Sequence, residues 1–142
     1  MKITDVMTTD IQTVSPADTA QQAATFMLQA DTGSIPVCEG DRIVGMITDR
    51  DIAVRGTAKG LGPDAQVRDL MSNDVICANC DDSVEDIARA MADRQVRRMP
   101  VVDADQNLVG MISLGDLSRH EKQQAAATAL EGVSQKGGQH RQ

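Results

Sequence analysis

GMITDRD at residues 45–51 returns as GMISLGD at residues 110–116, and this repetition decides the fold. Each stretch ends an apolar run with a hydroxyl residue, followed three positions later by aspartate: Thr48-x-x-Asp51 and Ser113-x-x-Asp116. Such a pair marks a helix start, where the hydroxyl and the carboxylate satisfy free backbone N–H groups. Those N–H groups and the helix dipole also favour an anion. A helix cap and a grip on a ligand are therefore both open readings of the corner, and they are compatible.

Around these corners the whole chain repeats. Met7 aligns with Met71 at an offset of 64 that holds through Val37/Val101, and one extra residue in the turn makes it 65 from Gly45/Gly110 onward. Identities include Asp10/Asp74, Asp18/Asp82, Ala24/Ala88, Met27/Met91, Pro36/Pro100 and the VGMI block. Self-similarity of this kind means one supersecondary unit used twice, each copy unable to bury its apolar face alone.

Each copy reads as β-α-β-β-α. A short strand (IQTV, 11–14; VICA, 75–78) leads to a helix, and a strand containing proline follows (IPVCE, 35–39; MPVVD, 99–103). A polar turn and a second strand (IVGMIT, 43–48; LVGMIS, 108–113) complete a hairpin, and a second helix begins at Thr48 or Ser113. The first helix is expected to open with Ser15 as N-cap, Pro16 at its first position and Asp18 in its first turn. Asn79 and Asp82 fill these roles in the second copy. Ala20, Ala23, Ala24 and Met27, like Val84, Ile87, Ala88 and Met91, recur at helical spacing. The small-residue segment 55–66 joins the copies. The expected boundaries are 1–60 for the first copy, 61–122 for the second, and 123–142 for a helical extension to about Leu130 with a frayed tail.

A chain of 142 residues, 41% apolar and 25% charged, suffices for one domain or two intimately packed halves. Its apolar runs of about five residues fall far short of the ~20 a membrane helix needs, and MKITDVMTTD holds no signal-like apolar stretch. A cytoplasmic protein away from the membrane is expected. The net charge of −7 argues against duplex nucleic acid as a partner. With Phe26 the sole aromatic residue, any purine bound here lies against aliphatic side chains and backbone.

The tandem β-α-β-β-α unit, with MPVVD and then GMIS-x-x-D, resembles the CBS-domain family, and two copies resemble a CBS pair, or Bateman module. The resemblance covers about residues 3–120. It implies two sheets packed about a pseudo-two-fold axis, leaving two clefts that bind adenosine-containing ligands: AMP, ADP, ATP or S-adenosylmethionine. It further implies a homodimer acting as a sensor for an unidentified regulated protein, with no catalysis of its own. In such modules the Ser/Thr and Asp of the corner contact phosphate and ribose. That role carries onto Thr48, Asp51, Ser113 and Asp116, with Ile35, Pro36, Met99 and Pro100 on the strands beside them. Basic residues before the proline strand approach the phosphates, which points to Arg97 and Arg98. The first copy has Gly33 and Ser34 there, so the two clefts are not equivalent. Arg50 is a further candidate.

Each feature has a plainer reading. Arg97 and Arg98 also suit a solvated pair near Asp93. Gly45 and Gly110 fit a bulge or ligand approach, or close packing between the copies. Cys77 and Cys80 form a CxxC, read either as small residues or as a thiol redox or metal switch; a zinc site needs about four ligands. No sequence pattern for a P-loop, a zinc protease or a catalytic triad is present, so an enzyme is not expected. A CBS-like pair without ligand, serving only dimerisation or interaction, is the alternative to the sensor.

Overall fold

The computed structural model describes residues 1–131, with side chains to residue 124; the frayed tail expected after Leu130 lies almost wholly outside the described residues. Its elements are α1 (Ala20–Ala30), β1 (Ser34–Glu39), β2 (Arg42–Thr48), α2 (Asp49–Asp51), α3 (Val67–Leu70), β3 (Ala78–Asn79), α4 (Val84–Arg94), β4 (Arg98–Val102), β5 (Leu108–Ser113) and α5 (Leu114–Glu131). From α2 the chain continues through a π-helical turn (Ile52–Gly56) and a 3-10 turn (Thr57–Lys59). The result is mixed α/β, with two sheets.

The hairpins form where a polar turn joins two short apolar runs, with β1 and β4 buried almost continuously. β1 pairs antiparallel with β2, and β4 with β5. Val37 pairs with Gly45 and Cys38 with Ile43, so Val44 is an extra, bulged residue; Val109 occupies the same place in the second copy. Gly45 and Gly110 sit beside those bulges. A Cβ on Gly110 would come within 2.5 Å of Met7 Sδ, and one on Gly45 within 2.8 Å of the Ser72 carbonyl. Both glycines thus flank a bulge and face a close-packed neighbour, which belongs to the other copy.

That neighbour shows how the copies are joined. Thr8 exchanges both backbone hydrogen bonds with Met111 (2.8 and 2.9 Å), and Ser72 does the same with Met46 (2.9 and 3.0 Å). The segment leading into each copy thus extends the other copy's hairpin. Cores follow suit: Ile3 packs among Ala78, Ile87, Val101 and Ile112, whereas Val67 and Leu70 pack among Val14, Ala23, Val37 and Ile47. The bridges Lys2–Ser83 and Thr19–Gln66 repeat the pattern. The contacts obey a pseudo-two-fold.

Three local expectations are corrected. Helix α1 starts at Ala20, not Pro16, under a capping box of Thr19 and Gln22. The Asp18 carboxylate instead folds back onto the Ser15 N–H (2.8 Å), and the Pro16 and Asp18 carbonyls accept Arg68 and Val67 N–H of the exchanged segment (3.0 and 2.8 Å). A helix from Pro16 would have consumed those carbonyls. In the second copy the Asn79–Asp82 turn (2.9 Å) likewise precedes the true N-cap, Ser83. The strand expected over 11–14 shrinks to one bridge, Val14 with Val37, and that over 75–78 to Ala78–Asn79. Finally, Ala24 and Ala88 are exposed, because only the narrower stripes of Ala20, Ala23 and Met27 and of Val84, Ile87 and Met91 reach the cores.

Candidate functional site

The two corners fold alike. Thr48 Oγ1 accepts the Asp51 N–H (3.0 Å) while Asp51 Oδ2 accepts the Thr48 N–H (3.0 Å). Ser113 and Asp116 do the same at 3.1 and 2.9 Å. The remaining oxygen of each carboxylate faces an arginine: Asp116 Oδ1 bonds Arg119, and Asp51 Oδ1 lies 3.9 Å from Arg55 Nε. Asp116 is the one buried charged residue among those described, and each of its oxygens already has a partner in the cap or the helix. The hydroxyl–aspartate pairs are caps.

The cap at α5 also borders a cleft between the copies, about 300 Å³ in volume. One wall carries Ser113, Asp116 and Arg98 from the second copy; the other carries Ile35 and Pro36. Thr8, Asp10 and Gln12 line it from the exchanged N-terminal segment, and Asp31 and Thr32 from the end of α1. Arg98 Nη1 donates to Thr32 Oγ1 (2.8 Å), linking the walls. Apolar surface, hydroxyls, carboxylates and one guanidinium converge here, as small-ligand sites require. A larger hollow of about 440 Å³, over Ala20, Ala24, Ile52, Leu61 and Pro63, is mostly apolar; Gln21 and Thr57 are the polar side chains lining it, and no charged group does.

Five sequence candidates therefore meet in the cleft: Ile35, Pro36, Arg98, Ser113 and Asp116. Thr48 and Asp51 sit at the pseudo-equivalent corner, outside this lining. Arg97 and Arg50 are exposed, and Met99 and Pro100 are buried in β4. The sequence does not single out Asp10, Asp31 or Thr32 as lining. Asp10 had a signal, its identity with Asp74. Asp31 and Thr32 had none, because they reach the cleft only once α1 ends there.

Cys77 and Cys80 are half-buried free thiols, and burial pushes the Cys77 thiol above its ordinary pKa, away from the thiolate that redox or metal chemistry needs. Among the described residues no group of three or more His, Cys, Asp or Glu is placed to hold a metal ion. No described helix is long and apolar enough to cross a membrane.

Comparison with known proteins gives the family. The CBS domain pattern matches residues 3–55 and again 67–122. CBS domain-containing protein YhcV of Bacillus subtilis is 44% identical over 133 residues, covering 93% of this chain and 94% of that protein. Among solved structures, Hypoxic Response Protein I with two coordinated zinc ions is 34% identical over 84% of this chain and 98% of that one, with a TM-score of 0.75. CBSX2 in complex with AMP is 26% identical, with a TM-score of 0.77 over 86% of this chain and 96% of its own. The CBS pair of protein MJ0100, in complex with 5′-methylthioadenosine and S-adenosyl-L-methionine, is 25% identical, with a TM-score of 0.76 over 87% and 98%. Matched twice along its length, and folded as two interlocked copies, this chain belongs to the CBS-domain family as a tandem CBS pair.

Proposed function

We propose that the chain is a regulatory CBS pair that binds an adenosine-containing ligand between its copies and passes occupancy to a partner protein. The observation that carries this reading is the convergence of Ser113–Asp116, Arg98 and the Ile35–Pro36 wall on one inter-copy cleft. AMP in CBSX2 and S-adenosylmethionine in MJ0100 supply the ligand class. In this reading the α5 N-terminus and Arg98 hold the polar end of the ligand, while the ribose competes with Arg119 for Asp116. Thr48, Asp51, Arg50, Arg97, Met99 and Pro100 serve the pseudo-equivalent cleft. The protein is cytoplasmic, without catalysis, and works as a homodimer; Leu28, 82% exposed, is apolar surface suited to a second copy.

Calorimetric titration with AMP, ADP, ATP and S-adenosylmethionine tests the ligand reading. Heat that Arg98→Ala reduces supports it; absence of heat with all four overturns it. The fully engaged Asp116 favours a second reading, a ligand-free interaction module, which expects no nucleotide to change the melting temperature. A third, the switch at Cys77 and Cys80, draws on the zinc of the Hypoxic Response Protein I structure. It requires bound metal on elemental analysis, or thiols that react differently after peroxide.

A further inference from the structure

The cleft carries the wrong charge for a polyphosphate. Asp10, Asp31 and Asp116 line it against one guanidinium, Arg98. Arg119 bonds Asp116 and neutralises it, whereas no described side chain forms a salt bridge with Asp10 or Asp31. The balance inside is two unpaired carboxylates facing one arginine, whose bond to the neutral Thr32 hydroxyl leaves its charge in place.

Asp31 is the sharper of the two signals. It ends α1 in the left-handed conformation (φ 52°), its N–H bonded to the Met27 carbonyl. Gln95 ends α4 in the same way (φ 56°, N–H to Met91). These are one structural slot used twice, filled by a carboxylate in one copy and a neutral amide in the other. The preceding slot differs likewise, holding Ala30 in the first copy and Arg94 in the second. The helix end that borders this cleft is acidic, whereas in its counterpart Arg94 offsets Asp93.

We infer that this cleft selects adenosine ligands whose 5′ substituent is uncharged or cationic, a thioether or sulfonium, over nucleoside polyphosphates. The inference rests on the adenosine reading proposed above. A sulfonium lies favourably near Asp10 and Asp31, while each phosphate added faces two carboxylates and the single guanidinium of Arg98. Both aspartates are exposed, so each discriminates by roughly two- to fivefold, as surface charges do. Added salt narrows the difference, because the screening length is only about 8 Å at physiological ionic strength.

Calorimetry on the full chain with 5′-methylthioadenosine, S-adenosylmethionine, AMP and ATP, at low and high sodium chloride, reads the preference. Amide chemical shifts at Thr8, Ile11 and Thr32 assign the binding to this cleft. The expected order at low salt places methylthioadenosine and S-adenosylmethionine ahead of ATP. Asp10→Asn combined with Asp31→Asn should move the S-adenosylmethionine-to-ATP affinity ratio about tenfold toward ATP. ATP binding here as tightly as S-adenosylmethionine, with a ratio that the double variant leaves alone, overturns charge selection but keeps the adenosine site. No shift with any of the four ligands overturns both.

Discussion

Asp103 closes the β4–β5 turn with a carboxylate that accepts the Asp105 and Asn107 backbone N–H groups (both 2.9 Å) and Asn107 Nδ2 (3.3 Å). The Asn107 backbone bond chiefly, with the other two, holds its pKa below the usual carboxylate range. A folded-state pKa below the unfolded one stabilises the fold above about pH 4, and that stability is lost as pH falls through the folded value. Asp103→Asn should therefore lower the melting temperature at pH 7, with a smaller gap to the parent at about pH 3. An equal gap at both values would show that charge has no part in it. The glycines give a second test at this scale. Gly110→Ala drives a methyl into Met7 and should cost about 1–3 kcal/mol, as overpacking does. If the contact is the cause, Met7→Ala combined with Gly110→Ala should cost less than the two singly, measured by urea unfolding.

At the scale of elements, the helix starts separate what is local from what is not. Thr19→Ala removes the α1 capping box and should cost about 1 kcal/mol, whereas Ser15→Ala, outside the helix, should cost clearly less. Equal losses in thermal unfolding would return the helix start to Ser15. Both Ser15-x-x-Asp18 and Thr19-x-x-Gln22 fit a capping pattern, and the sequence alone offers no means of ranking them. The choice is made by Arg68 and Val67, some fifty residues away, which take the carbonyls of Pro16 and Asp18. The hairpins were legible for the opposite reason, since their apolar runs and the turn between them are close neighbours in the chain. The corner motifs were legible as caps, and the glycines as close approaches. What the sequence hid was which residues face the cleft from the other copy, because Asp31 and Thr32 arrive there through tertiary packing.

At the scale of the whole molecule, the copies are not two beads on a string, because each contributes its lead-in segment to the other's core. Ile3 is fully buried among second-copy residues, and Leu70 among first-copy residues. Neither copy completes its apolar core from its own contiguous sequence, so the pair should unfold as one cooperative unit. Ile3→Ala and Leu70→Ala each leave a cavity in a packed core and should cost about 2–5 kcal/mol. The cost should appear as one shifted denaturation transition in both variants, with no second step. Native-state hydrogen exchange adds the direction of the coupling. Ile3→Ala should first speed exchange in β4 and β5, and Leu70→Ala in β1 and β2, the reverse of what chain proximity suggests. If Ile3→Ala instead loosened β1 and β2 while β4 and β5 stayed protected, the exchanged segments would not hold the copies together. The cleft between the walls would then have no shared framework through which an occupied site could act on the rest of the pair.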